Sequence, residues 1–323
     1  MVGCILYAGK ALNPEKSQRI PMFGFVYLKK PILLTTLLTA CWGGGGMSAQ
    51  AGPLMDPATA VGLVPHKALY DIRLNSARSG SQVVNIRGQM LFEWKPSCEG
   101  WITDHRFRLY YDYADAPAMN IESDFSTFES FDQDRLDFSS RRRKDGEVYE
   151  ELRGHAALEQ KEGIKGKSGK AIYTVPAGLQ FDLAAGTMFS TEHTISLLKS
   201  ARQGSKFMKG AVFDGSDDEG PVEINSFIGK SFAKGSRDVL GLGKDVEPPQ
   251  KQQVDTALID VPGWKISMAF FPIKSDDPSS DYELTMAFHE NGIISDMLVD
   301  YGDFKVSQHL VALEKVAPES CGK

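Results

Sequence analysis

The sequence predicts an all-β protein: a single large antiparallel sheet, strongly curved, with one or two short helices. Three observations predict it. Apolar and polar residues alternate at period two through much of the chain, glycine-containing turn dipeptides interrupt those runs, and helical spacing is convincing only once. Roughly a dozen strands or slightly more fit between the breaks, which suits one continuous curved β-architecture.

Composition sets the frame. The 323 residues allow one large domain or two ordinary ones. At 42% hydrophobic and 24% charged, the chain is neither disordered, collagenous nor a polytopic membrane protein. With 36 Lys plus Arg against 42 Asp plus Glu, the net charge of −6 offers phosphate backbones no general attraction, so nucleic acid is not an expected partner.

Residues 1–51 read as a secretory signal. Lys29-Lys30 precedes an apolar stretch from Pro31 to Ala40, small residues follow, and Ala49-Gln50-Ala51 supplies a small-x-small cleavage site. Met22 offers an alternative start. The apolar run is too short for a bilayer, which needs about 20 residues, so no membrane span is expected. Leu38-Thr39-Ala40-Cys41 also fits a lipobox, in which Cys41 would be acylated; this reading ranks second to cleavage after Ala51. Cleavage there removes Lys10, Lys16, Arg19, Lys29, Lys30 and Glu15, leaving 31 basic and 41 acidic side chains, a net of −10. It also removes Cys4 and Cys41. The remaining pair, Cys98 and Cys321, reads in an oxidising compartment as one structural disulfide, worth roughly 5 kcal/mol in the chain-entropy model before native strain.

The mature region, 52–323, reads as a single β-rich domain. Asp56-Pro57 has the form of an N-cap followed by proline at the first helical position, opening a short helix before Pro65. Val84, Ile86, Met90, Phe92 and Trp94 then share one strand face, with Asn85, Arg87, Gln89 and Glu93 opposite. Phe107, Leu109, Tyr111 and Tyr113 repeat the pattern, as do Leu284, Met286 and Phe288. Asp145-Gly146 and Asn291-Gly292 are primed-turn hairpin dipeptides between such runs. From Thr191 to Arg202 the spacing turns helical, with Ile195, Leu198 and Ala201 on one face and Gly204 placed to end it. The stretch 233–257, centred on Pro248-Pro249, reads as a long surface excursion.

No catalytic constellation emerges. The six histidines (66, 105, 155, 193, 289 and 309) lack any metal-ligand spacing, so neither metal nor cofactor is expected. His193, at the start of the helix, reads as a capping or packing residue. Ser196-x-x-Lys199 and Lys167-Ser168-Gly169 resemble elements of penicillin-recognising hydrolases, but they come in the reverse order and no S-x-N element intervenes. Lys199 is read as the helix's solvent face. Asp214, Ser216 and Asp218 alternate like a calcium loop, yet Glu219 stands where glycine is needed and Asn225 where glutamate is needed. A charged hairpin tip is the preferred reading, as it is for Arg141-Arg142-Arg143-Lys144 beside Glu147, Glu150 and Glu151.

His66–Tyr70, Trp94 through Cys98 to Trp101, Thr187–His193, Asp214-Gly215-Ser216, and Asn291-Gly292 leading to Asp300–Phe304 occur in an order that resembles the EipB-type family of periplasmic cell-envelope integrity proteins of Gram-negative bacteria. The likeness covers residues 52–323. It implies a secreted β-spiral carrying a Cys98–Cys321 disulfide, a role in maintaining the envelope under stress, and no catalytic residues to carry over. The resulting expectation is a non-enzymatic periplasmic protein that binds an envelope protein or peptide on its sheet edges or groove, with an acidic surface favouring basic partners. The alternative is a periplasmic lipid or lipoprotein carrier, which needs an open concavity. An envelope hydrolase ranks third.

Overall fold

The computed structural model describes residues 61–242, 254–273, 278–317 and 321. The export segment with Cys41, the Asp56-Pro57 helix start and Pro248-Pro249 lie outside them. Eight strands come first: β1 (His66–Ala77), β2 (Val83–Pro96), β3 (Gly100–Tyr113), β4 (Met119–Ser130), β5 (Arg135–Lys144), β6 (Glu147–Gln160), β7 (Lys167–Val175) and β8 (Gln180–Leu183). A helix, α1 (Ser190–Arg202), follows. Six further strands complete the chain: β9 (Phe207–Val212), β10 (Val222–Phe232), β11 (Gly263–Pro272), β12 (Tyr282–His289), β13 (Ile294–Asp300) and β14 (Phe304–Lys315).

All fourteen strands form one sheet in the order β8-β7-β6-β5-β4-β3-β2-β1-β14-β13-β12-β11-β10-β9. β1 returns to pair antiparallel with β14, so two meanders join at mid-sheet. The outermost strands, β8 and β9, are consecutive in sequence and linked through α1.

The sheet is curled almost into a barrel. Laid flat, β8 and β10 would be twelve strand spacings apart, about 58 Å. Yet Gly220, just before β10, lies against the Phe181 ring of β8, and Phe213 packs edge-on to Phe138 of β5 and Tyr173 of β7. The two arms therefore meet around a shared interior.

Period two is what fills that interior. Ile86, Met90, Phe92 and Trp94 of β2, Phe107, Leu109 and Tyr111 of β3, and Leu284, Met286 and Phe288 of β12 all point inward and are buried. Trp94 and Trp101 stack at 3.9 Å between centroids. Val84 departs from the expected face and is 58% exposed. A bulge between Val83 and Asn85 in the pairing with β3 shifts the phase, so Val83 packs against the core instead.

The two hairpin dipeptides resolve differently. Asp145 and Gly146 both have positive φ, as a primed two-residue turn demands. At Asn291-Gly292 only Gly292 does. There the His289 and Ile293 backbones bracket a three-residue loop with glycine in the left-handed position. Asn291 serves it through its side chain, donating to Leu258 O and accepting from Ile293 N.

Candidate functional site

One end of the curled sheet is covered by α1. Thr191, His193, Thr194, Ile195, Leu197, Leu198 and Ala201 are buried, whereas Lys199 is exposed. The helix thus lies across the mouth with one stripe in solvent. Gly204, at φ +78°, follows its C-terminus. Phe189 occupies the N-cap position and has no polar side chain with which to cap. Glu129, buried at the end of β4, supplies the cap in trans: its carboxylate accepts hydrogen bonds from Thr191 N (2.8 Å) and Glu192 N (3.1 Å). Helix N-termini favour a carboxylate there because their first N–H groups lack partners. At the other end Arg202 donates to Val61 O (2.8 Å) and Glu290 O (2.9 Å). The lid is latched at both ends.

Electrostatics at the Glu129 latch are tense. Burial pushes the Glu129 carboxyl up from its ordinary range, opposed by its bonds to Thr191 and Glu192. Burial, then the Glu129 charge, raises Glu192 to about 7, with Lys167 and Lys199 pulling the other way. The lysines of the two hydrolase-like motifs therefore share one neighbourhood, but Ser196 makes no hydrogen bond to either among the described residues.

Two strand histidines, His66 and His105, and His193 of the lid itself are buried. His66 and His105 flank Phe92, each at 5.3 Å between ring centroids. Burial lowers their imidazoles to about 4 and about 3, so both are neutral. His66 Nδ1 bonds Val64 O. His193 is likewise held at about 3 by burial, and neither ring nitrogen has a hydrogen-bond partner. Its role is packing; the capping half of the expectation falls to Glu129.

The opposite end is closed by residues 213–221. This β9–β10 connection was expected as a charged tip, but Asp214, Ser216 and Asp217 are buried. The reason is geometric: Phe213 anchors the loop in an aromatic cluster, and Gly215, at φ +72°, lets the backbone press on the Phe138 ring. Asp214 accepts a hydrogen bond from Ser216 N and Asp217 one from Glu219 N. Tyr173 Oη donates to Asp217 O (2.5 Å).

Arg142 corrects the second charged-tip reading. Although Asp145-Gly146 does turn the β5–β6 hairpin, Arg142 faces inward and is buried, bonding Glu150 (2.6 Å) and Ser216 O (2.8 Å). Period two again explains it, since Leu136, Phe138, Ser140 and Arg142 share the inner face of β5. Burial raises the Glu150 carboxyl, with Arg142 opposing. Arg141 and Arg143 point outward, pairing with Glu151 and Asp124.

Cys98, in the β2–β3 connection, and Cys321 form a disulfide with a Cα–Cα distance of 5.5 Å across a sequence separation of 223 residues. Just past β14, beside β1, Val316 N donates to Pro65 O. The sequence reading assigned no role to Glu129 or Arg202, and it placed Arg142 in solvent. The only signal was local: a helix start without its own cap, and a charged residue in phase with an apolar strand face.

The profile of a family described as EipB-like matches residues 57–317. The cell envelope integrity protein EipB of Brucella abortus (strain 2308) is 32% identical over 278 residues, covering 84% of this chain and 89% of that protein. A crystal structure of a β-barrel-like protein from Brucella abortus, belonging to a domain class of unknown function, superposes with a TM-score of 0.67 at 30% identity. It covers 79% of this chain and 99% of its own.

Proposed function

The chain belongs to the EipB-like family, and from that premise we propose that it is a non-enzymatic periplasmic protein that maintains envelope integrity under stress by holding a protein or peptide. The observation that carries the binding mode is the filled interior. One end is covered by α1, the other by residues 213–221, and the space between is packed with aromatic and aliphatic side chains. Recognition is thereby left to the outside of the sheet and to its edges, β8 and β9. Edge strands offer unpaired backbone groups to an added strand. The inner part of β9 is already engaged, since Met188 N bonds Ala211 O and Phe213 N bonds Met188 O, so β8 is the freer edge.

An acyl-chain carrier would need the space that those side chains occupy, and the described interior is packed at both ends. No helix among the described residues is long and apolar enough to cross a membrane.

The test is genetic. Deleting the gene should sensitise the cells to detergent and cell-wall stress, and the wild-type chain should restore resistance. A Ser196→Ala variant should restore it equally; failure of a stably accumulated Ser196→Ala protein would reinstate the hydrolase reading. An Asp182→Pro variant, at an exposed position of the edge strand, should accumulate yet complement poorly if β8 receives the partner.

A further inference from the structure

On the outer, convex face near the β9 edge, Phe207 and Phe227 are directly paired across β9 and β10. Their rings lie 5.1 Å apart and remain 48% and 55% exposed. Two bulky rings standing together in water are unusual on an all-β surface that elsewhere alternates polar outward. The next outward side chains in the same row, Ser267 and Thr285, bond each other, so the rings have no apolar neighbour to shelter them.

The charges around the pair are lopsided. Lys230 follows Phe227 by three residues, across a register bulge, and Lys265 lies two residues along β11 from Ser267, the register partner of Phe227. Both are exposed, and neither forms an ion pair among the described residues. Lys209 is neutralised by Glu223 at 2.7 Å. Among the described residues of these strands, the next outward carboxylate, Glu283, is two strands away from Asn225, beyond Ala269. Two cations with no ion pair among the described residues, beside two exposed rings, stand out in a chain whose net charge is −6.

We propose that this face docks on an anionic phospholipid bilayer, with Phe207 and Phe227 entering the headgroup region and Lys230 and Lys265 meeting lipid phosphates. Shape decides against a peptide. Phe227 is on a strand paired on both sides, so the patch offers a peptide neither a groove nor a free β10 edge; on the outside of a curled sheet it suits a broad, flat partner. Aromatic rings with flanking lysines match a bilayer interface, where the rings sit among headgroups and the long lysine stems lie along apolar surface while their ammonium groups stay wet. The docking is peripheral, and it leaves the β8 edge and the filled interior untouched.

The test uses protein recovered from the cells that make it, sedimented with vesicles of phosphatidylcholine alone or mixed with phosphatidylglycerol. Wild-type protein should sediment with the phosphatidylglycerol vesicles, not with phosphatidylcholine alone, and salt should release it. A Phe207→Ser/Phe227→Ser variant should lose about tenfold or more in partition. Replacing Lys230 and Lys265 by Gln should lose about 25-fold, since each basic residue contributes roughly fivefold at an anionic surface. Both sets are surface changes, and an unaltered melting temperature shows that the fold is intact. Equal sedimentation of wild type and lysine variant, or equal binding to both vesicles, overturns the proposal. Failure to bind either vesicle, with binding instead to an acidic peptide such as polyglutamate, overturns it in favour of an acidic protein partner. These outcomes are independent of the complementation results above.

Discussion

His193→Leu tests the buried lid chemistry quantitatively. His193 is fully buried in α1, its ring nitrogens are unpartnered, and burial holds the imidazole at about 3 against 6.5 for an exposed histidine. A folded pKa below the unfolded one means that the unfolded chain takes up the proton first as pH falls. The stabilisation is therefore complete above about pH 6.5 and is lost progressively as pH drops toward 3. Between about pH 7.5 and 5.5 the loss is close to one pKa unit's worth, about 1.3 kcal/mol. Leucine has no proton to accept, so the variant should lose about 1.3 kcal/mol less than wild type over that interval. Whatever the exchange costs or gains in packing acts at both pH values and cancels in the difference. Urea unfolding, followed through the fluorescence of the stacked Trp94 and Trp101, measures it. Equal pH dependence in the two proteins would refute the reasoning, because it would mean that His193 is solvated or paired in the folded state.

Three other outcomes follow from the same geometry. Glu192 titrates in the opposite sense: its folded pKa of about 7 exceeds the ordinary 4.5, so its contribution is present below about pH 4.5 and lost as pH rises through 7. Glu192→Gln should thus gain on wild type between pH 5 and 8 by about 1 kcal/mol, discounted for its partial exposure, as read by melting at each pH. Gly215→Ala would place a Cβ 2.2 Å from the Phe138 ring at a φ of +72°. It should cost about 2–4 kcal/mol in urea unfolding, and an unchanged midpoint would deny that the 213–221 loop is buried. Cys98→Ala should lower stability by about 2–5 kcal/mol, and reductant should lower the melting temperature of wild type but not of the variant.

Much of the fold was legible because period two is a strong signal when one face is buried. Phe107, Leu109 and Tyr111, or Leu284, Met286 and Phe288, read inward from sequence and are inward in the structure. The signal fails where phase slips: one bulge beside Val83 turns Val84 outward. It fails again where a loop leaves the surface. Asp214, Ser216 and Arg142 carry the composition of a solvated tip, and only the curl of a distant arm, bringing Phe138 and Tyr173 over Phe213, buries them. The Glu129 latch was illegible for a related reason, since its partners lie 62 and 63 residues along the chain. Nothing in the local sequence of β4 distinguishes a trans cap from any other strand-end carboxylate.

The central claim is that the interior is filled and the protein works from its outside. Native mass spectrometry of protein recovered from the producing cells tests that most directly, repeated under denaturing conditions. The account predicts the mass of a bare polypeptide with one disulfide, identical before and after denaturation. A lipid-sized mass that is present natively and lost on denaturation, and that persists in the Phe207→Ser/Phe227→Ser variant, would place a ligand inside the curled sheet and contradict it.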